Sequence, residues 1–404
     1  MIQTRRNPNP LHLKPALMSN TARTAMPVMA ALLLFSAIPP AYAYQSNSGS
    51  STQANSAPVD AGSPARGSIA TLHNIRVVAT TIDPGNRDQN PYGLVVVPSS
   101  AALTGKLKVG DLLVSNINNA NNVMGLGTTI ELIRPSDPKP APVTFFNGAA
   151  SPIAMVLNAN ATNLWIANYG LDQSGTQGNV DVVNNQGVLF AHGSINDPRL
   201  HGSWGQGFNG QALGGTVPPA FFDTNVLTGA VYRLQKFVPT SAGPDFAGAT
   251  ITQIAALGHT GSNITNVFGP QGMVWTKTED TLLIADPVNN RIVAVPNSTT
   301  SGNVGTGYTI FQGSPLNQPA GLALNPVNGD LLVVNQGDNK LIEIGPKTND
   351  RDDAHVVAVK VLDKTPVVNG MGSALFGLAA TTDAAGHLKV YFTDDNTNTV
   401  NLLY

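Results

Sequence analysis

Six times along this chain a run of apolar residues ends on Asn or Asp, passes through a polar turn and resumes as a second apolar run. The runs are Leu112-Leu113-Val114-Ser115-Asn116, Leu164-Trp165-Ile166-Ala167-Asn168 and Phe221-Phe222-Asp223-Thr224-Asn225. They continue as Leu282-Leu283-Ile284-Ala285-Asp286, Leu331-Leu332-Val333-Val334-Asn335 and Val390-Tyr391-Phe392-Thr393-Asp394. The Asn/Asp positions return roughly every 50 to 60 residues, the scale of a repeated supersecondary unit. Before each run lies a short strand with Gly or Ala near its start, as in Pro91-Tyr92-Gly93, Pro152-Ile153-Ala154 and Pro319-Ala320-Gly321. Small residues suit strands that converge on a common axis. Turn signals such as Asn325-Pro326-Val327-Asn328-Gly329 separate first from second strands. Third strands (Arg291–Val295, Lys340–Ile344) and a fourth (His355–Val361) complete the unit.

Four short antiparallel strands repeated six times predict an all-β six-bladed β-propeller over residues 71–404. The last unit supplies only three strands before Tyr404, whereas Ile75–Ile82 reads as a spare strand before the first unit. Pairing that N-terminal strand with the last blade would close the ring and remove two exposed edges.

The Gly272–Val295 and Gly321–Ile344 units resemble the NHL-repeat propellers. Each reads Gly, apolar strand, turn, strand, Asn or Asp, a polar turn (Asn289-Asn290 or Asp338-Asn339), a basic residue (Arg291 or Lys340) and a strand. The sixth unit, with Asp394 and Asn396-Thr397-Asn398, is a fair match, and the first three carry insertions. The resemblance extends to exported bacterial propellers of unestablished activity. It implies the fold more firmly than a reaction, since such propellers serve as binding modules, lyases and lactonases.

Composition narrows the rest. The 404 residues include 40 Gly, 29 Pro and no Cys, with 11% charged residues and a net charge of -2. A near-neutral chain lacks the basic face of a nucleic-acid binder. The absence of Cys excludes disulfides, thiolate metal sites, a cysteine nucleophile and a lipid-modified N-terminal Cys. Residues 1–43 read as a signal peptide: Arg5, Arg6, Lys14 and Arg23, an apolar stretch from Met26 to Ile38, then Ala41-Tyr42-Ala43 as the cleavage site. Asn7-Pro8-Asn9 follow the arginine pair where twin-arginine export expects apolar residues, which favours the general route. Residues 44–70, poor in large apolar side chains, read as a flexible low-complexity linker. No later stretch has the 18 apolar residues of a membrane span, so the expected product is an exported, periplasmic or extracellular monomer.

The candidate site is the ring of Asn116, Asn168, Asn225, Asp286, Asn335 and Asp394, expected on one face of the disc. Asn and Asp first suggest turn chemistry, since their side chains accept backbone N–H bonds two residues on. The second reading is a polar rim for a small-molecule or carbohydrate ligand, or a divalent cation such as calcium on oxygen ligands. Insertions at Asn118–Gly127 and Gly170–Gly178 add long loops to that face.

Resemblance to lactonase-type propellers would require a Glu near a first-strand start, but those starts read Asn90-Pro91-Tyr92-Gly93 and Gly269-Pro270-Gln271-Gly272. Of His73, His192, His201, His259, His355 and His387, only His201 and His259 fall in connections leading to a first strand, fewer than a catalytic zinc needs. There is no Gly-x-Ser-x-Gly elbow. Trp204 and Trp275 sit on first strands, facing either the channel or an inter-blade core. The sequence thus points to a binding or interaction module for a small molecule, carbohydrate or protein. A metal-dependent hydrolase or lyase of the envelope is the alternative.

Overall fold

The computed structural model describes residues 67–100, 105–210, 218–240, 243–277, 279–345 and 354–404. The expected signal peptide and residues 44–66 of the expected linker lie outside them. The described strands form six four-stranded antiparallel sheets and one small side hairpin. The chain folds as a six-bladed β-propeller.

Blade 1 comprises Gln89–Val96, Leu112–Asn118, Met124–Ile133 and Val143–Asn147. Blade 2 comprises Pro152–Leu157, Asn163–Asn168, Asn179–Asn184 and Leu189–Ile195. Blade 3 runs through Ser203–Phe208, Phe221–Asn225, Ala230–Gln235 and Thr250–Ala256, with the side hairpin Val238–Thr240 and Gly243–Asp245 inserted before its outer strand. Blade 4 is Met273–Thr276, Thr281–Asp286, Arg291–Val295 and Tyr308–Gln312. Blade 5 is Pro319–Leu324, Leu331–Asn335, Lys340–Gly345 and His355–Val361.

Blade 6 takes Leu378–Thr382, Leu388–Asp394 and Thr399–Leu403 from the C-terminus and Ile75–Thr80 from the N-terminus. Ile75 pairs with Leu403 and Thr80 with Thr399, with a bulge between Val77 and Ala79. The ring therefore closes as the spare strand suggested.

The apolar runs are continuous rather than alternating because each second strand is covered on both faces. Phe221 packs into the seam between blades 2 and 3, and its neighbour Phe222 into the seam between blades 3 and 4. Every seam has its own apolar core of this kind, the others falling between blades 1 and 2, 4 and 5, 5 and 6, and 6 and 1. Outer strands such as His355–Val361 are largely uncovered. Trp275 belongs to the cores: it packs against the seam of blades 3 and 4, and its indole N–H donates to Asp280 at 2.9 Å.

The packed chain begins before residue 71. Ser68 and Ile69 are fully buried, so the last residues of the expected linker belong to the propeller. A short 3-10 turn, Ile69–Thr71, drives Ile69 into the seam of blades 5 and 6. Glu343, buried on the third strand of blade 5, holds this segment. It accepts Ser68 Oγ at 2.5 Å, Ile69 N–H at 2.9 Å, and the amides of Asn325 and Asn328, both at 3.0 Å. Asn325 also donates to the Gly67 carbonyl at 2.7 Å. The N-terminus thus pairs with blade 6 and latches onto blade 5. Glu343→Ala would leave buried donors unmatched, and we expect it to cost about 3–5 kcal/mol. A loss below about 1 kcal/mol in denaturant unfolding would mean the latch carries no weight.

Candidate functional site

The first strands of all six blades line a central channel, with Gly93, Ala154, Gly205, Gly272, Gly321 and Gly377 at equivalent positions. The small residues are required by the neighbouring strand rather than by the axis. A Cβ on Gly205 would lie 2.0 Å from the Gln271 carbonyl oxygen of blade 4, and one on Gly321 2.2 Å from that of Phe376 in blade 6. Hydroxyls join the strands in three blades. Ser115 Oγ accepts Gly93 N–H at 2.8 Å and donates to the Ile153 carbonyl of the next blade at 2.8 Å. Thr224 accepts Gly205 N–H at 2.7 Å and donates to Gln271 at 3.1 Å. Thr393 accepts Gly377 N–H at 2.9 Å and donates to Tyr92 at 3.5 Å. Gly205→Ala is expected to cost more than about 3 kcal/mol, or to prevent folding, because rigid backbone opposes the new methyl. Gly302→Ala, where nothing lies within 4 Å of the new atom, should change stability by less than about 0.5 kcal/mol in the same unfolding assay.

The channel encloses only about 90 Å³. That is well below the roughly 300 Å³ at which small-ligand pockets begin, so a sugar-sized molecule cannot occupy the shaft. Deep in its wall, Gln206 donates to the buried Asp223 at 2.6 Å, and burial holds that carboxyl well above the usual range. A larger cavity, about 690 Å³, lies on the opposite face beside Leu72, Val327 and Leu388, with Thr71 and His387 as its polar side chains.

The six Asn/Asp residues lie on one face. Asn116, Asn168, Asn225 and Asn335 pair with Pro91, Pro152, Ser203 and Pro319, at or near the openings of their blades' first strands. All six are buried, and none lines the channel. Asn225, which accepts Leu227 N–H at 2.9 Å and Thr228 N–H at 3.1 Å, and Asn335, which donates to Asp338 at 3.0 Å, serve their own turns. The four Asn tie down the connection entering their own blade. Asn116 donates to Thr81 O at 2.8 Å, Asn225 to Arg199 O at 2.9 Å and to His201 O, and Asn335 to Pro315 O at 2.8 Å. Asn168 accepts Ala150 N–H at 3.2 Å. Asp has no donor for a carbonyl, and the two Asp serve their own turns. Asp286 accepts Asn289 N–H at 3.3 Å and the Arg291 guanidinium at 2.7 Å, and Asp394 accepts Thr397 N–H at 3.2 Å.

In blades 1, 2 and 3 the residue after the ring position forms the channel mouth. Ile117, Tyr169 and Val226 bury with Tyr92, Ile153 and Trp204 in an axial apolar plug. Tyr92 stacks on Phe376 at 3.9 Å and meets Trp204 edge-on at 6.1 Å, while Tyr169 meets Trp204 at 5.9 Å. Above the plug three loops converge. Gln173, in the blade 2 insertion, donates to Met124 O of the blade 1 hairpin and accepts Ile264 N–H at 3.0 Å. Ile264 and Val267 come from the connection between blades 3 and 4, an insertion the repeat pattern did not isolate.

Across blades 5, 6 and 1 the mouth is polar instead. Here the residues after the ring positions are Gln336 and Asp395. Asn339 accepts Ala374 N–H at 2.9 Å and donates to Gly372 O at 2.7 Å, and Asp395 N–H donates to Ala374 O at 3.1 Å. Along this arc Gln336 Nε2, Ser373 Oγ, Asp395 Oδ1 and Asn90 Oδ1 are buried atoms without a hydrogen-bond partner. Burial, then the charges of Asp394 and Asp363, push the Asp395 carboxyl up to about 7.

His201 is half-buried and His259 exposed, and among the described residues no group of three or more His, Asp or Glu is placed to hold a metal.

No protein-family model and no curated protein matches the chain. Solved structures do. A protein of unknown function from Bacteroides thetaiotaomicron aligns at a TM-score of 0.52 and 9% identity, covering 81% of this chain and 75% of that one. An auxiliary nutrient binding protein from the same organism aligns at 0.53 and 10% identity, covering 82% and 76%. At this identity the likeness shows the propeller fold alone.

Asp395 supplies a pH test. Its folded-state pKa lies above the usual carboxylate value, so the fold binds a proton that the unfolded chain releases. Stability should therefore fall as pH rises from about 4 to about 7. Asp395→Asn should flatten that part of the melting-temperature profile; an unchanged slope would contradict the assignment.

Proposed function

We propose that this propeller is an exported binding module that takes a small polyhydroxylated ligand, such as a carbohydrate, on the face built by the Asn/Asp ring. The supporting observation is the arc of unmatched polar atoms over blades 5, 6 and 1, which offers donors and acceptors together. Hydroxyl groups both donate and accept, so a polyol that displaces the cover over these buried atoms can match Gln336 Nε2, Ser373 Oγ and Asp395 Oδ1 at once. Partly buried Phe376 adds an apolar surface at the same place. Asn116, Asn168, Asn225, Asp286, Asn335 and Asp394 enter this reading as the residues that fix the face, and the contact residues Gln336 and Asp395 lie one residue further on. A neighbour of the same fold is described as nutrient binding, which makes such a role compatible with the architecture.

In the same reading, residues 1–43 direct export, and the units around Asp286 and Asn335 are repeats of the NHL type. No helix among the described residues is long and apolar enough to cross a membrane.

Calorimetric titration of the purified chain with a panel of mono- and oligosaccharides tests the proposal. At least one sugar should bind, and Gln336→Ala and Asp395→Asn should each weaken it roughly tenfold, the effect of one lost buried hydrogen bond. Absence of binding across the panel, or unchanged affinity in both variants, refutes it.

A further inference from the structure

The seam where the ring closes holds a second group of unmatched atoms, remote in character from the mouth because all of them are acceptors or hydroxyls. Asn116 Oδ1 and Thr81 Oγ1 are buried without a partner, and the Glu131 carboxyl, buried in the same seam, meets Thr129 and the like-charged Asp83 rather than a cation. Glu131, Asn116 and Thr81 are each 0% exposed. Asn116 donates to Thr81 O at 2.8 Å and to Thr129 Oγ1 at 3.3 Å, and Glu131 interacts with that same Thr129 and with Asp83. Asp83 is itself held in place by Gly85 N–H at 2.7 Å, Asn86 N–H at 2.6 Å and Thr144 Oγ1 at 2.5 Å. None of Asp83, Asp88 and Glu131 takes part in an ion pair among the described residues.

We propose that this seam between blades 6 and 1 binds a divalent cation of the calcium type, with Glu131 as the anchoring carboxylate, Asp83 as the second, and Asn116 and Thr81 as neutral oxygen ligands. Calcium prefers such mixed oxygen sets and takes six to eight of them. A shared proton is the alternative occupant. Burial, then the Asp83 charge, push the Glu131 carboxyl up to about 9 in the cation-free fold. One proton bridging Glu131 and Asp83, however, leaves Asn116 Oδ1 and Thr81 Oγ1 unmatched. The site is independent of the mouth, so it can fail without affecting the proposed function, and the reverse.

The test uses the full chain after exhaustive chelation. Calcium in roughly hundredfold excess over its Kd should raise the melting temperature by about 3–5 °C, and calorimetry should give one site per chain. Glu131→Gln keeps the shape, removes the charge and should abolish both responses. Thr81→Val removes a hydroxyl that has no partner in the cation-free fold, so it should fold normally and weaken calcium several-fold. No calcium response in the wild type overturns the proposal. So does an equal response in Glu131→Gln, which would mark cation binding elsewhere on the surface.

Discussion

Everything in this molecule depends on how closely six inner strands can approach one another. Neighbouring blades meet backbone to backbone: a carbonyl of one strand occupies the space where a Cβ of the preceding strand would stand, and Ser115, Thr224 and Thr393 stitch three of these contacts. Hydrogen bonds alone are worth about 1 kcal/mol each. Their larger effect is geometric, since they set the blade-to-blade distance at which the apolar seams close.

That tight radius decides where a ligand can be met. A shaft of about 90 Å³ admits water and little else, so recognition moves to the mouth. There the loops divide the labour. Insertions from blades 1 and 2 and the connection between blades 3 and 4 seal one side with Ile117, Tyr169, Val226 and Ile264. Blades 5 and 6 have short turns after their ring positions, and the connection between them, as long as that between blades 3 and 4, is polar where it meets Gln336 and Asp395. The asymmetry of a nominally six-fold ring thus follows from what the connections carry, Ile264 and Val267 on one side and Ser373 on the other.

The repeat was legible in the sequence because the second strands are buried on both faces and must be apolar throughout, so the six runs stand out even where the rest of a blade has drifted. The ring closure was legible for the same reason: Ile75–Thr80 is a strand without a hairpin partner. The rim Asn and Asp were legible too, but only the structure shows that the carboxamides alone reach back to the incoming connection, because Asn and Asp look alike as turn residues. The mouth residues carry no such signal. Ile117, Tyr169, Val226, Gln336 and Asp395 share a position and no chemistry, so nothing periodic marks them. Trp204 and Trp275 illustrate the limit of strand assignment: both lie on first strands, yet one faces the axis and the other a seam. Glu131 carries the weakest sequence signal. In Thr128-Thr129-Ile130-Glu131-Leu132 it reads as the polar side of an alternating strand, and only ring closure brings Asp83 and Thr81 against it.

The shared sixth blade has a consequence for timing. Thr80 receives its partner only when Asn398 exists, 318 residues later in the chain. A growing polypeptide can assemble blades 1 to 5 in order, but it holds an unpaired strand from nearly the first residue of the fold to nearly the last. Contacts of such separation form late and slowly. Until then, the edges of Ile75–Thr80 and of the nascent blades stay available to other chains. The propeller is therefore most exposed to mispairing during its own synthesis. The Glu343 latch, complete some 55 to 60 residues earlier, pins the waiting strand beside blade 5 and gives it a place to stand before its partner arrives.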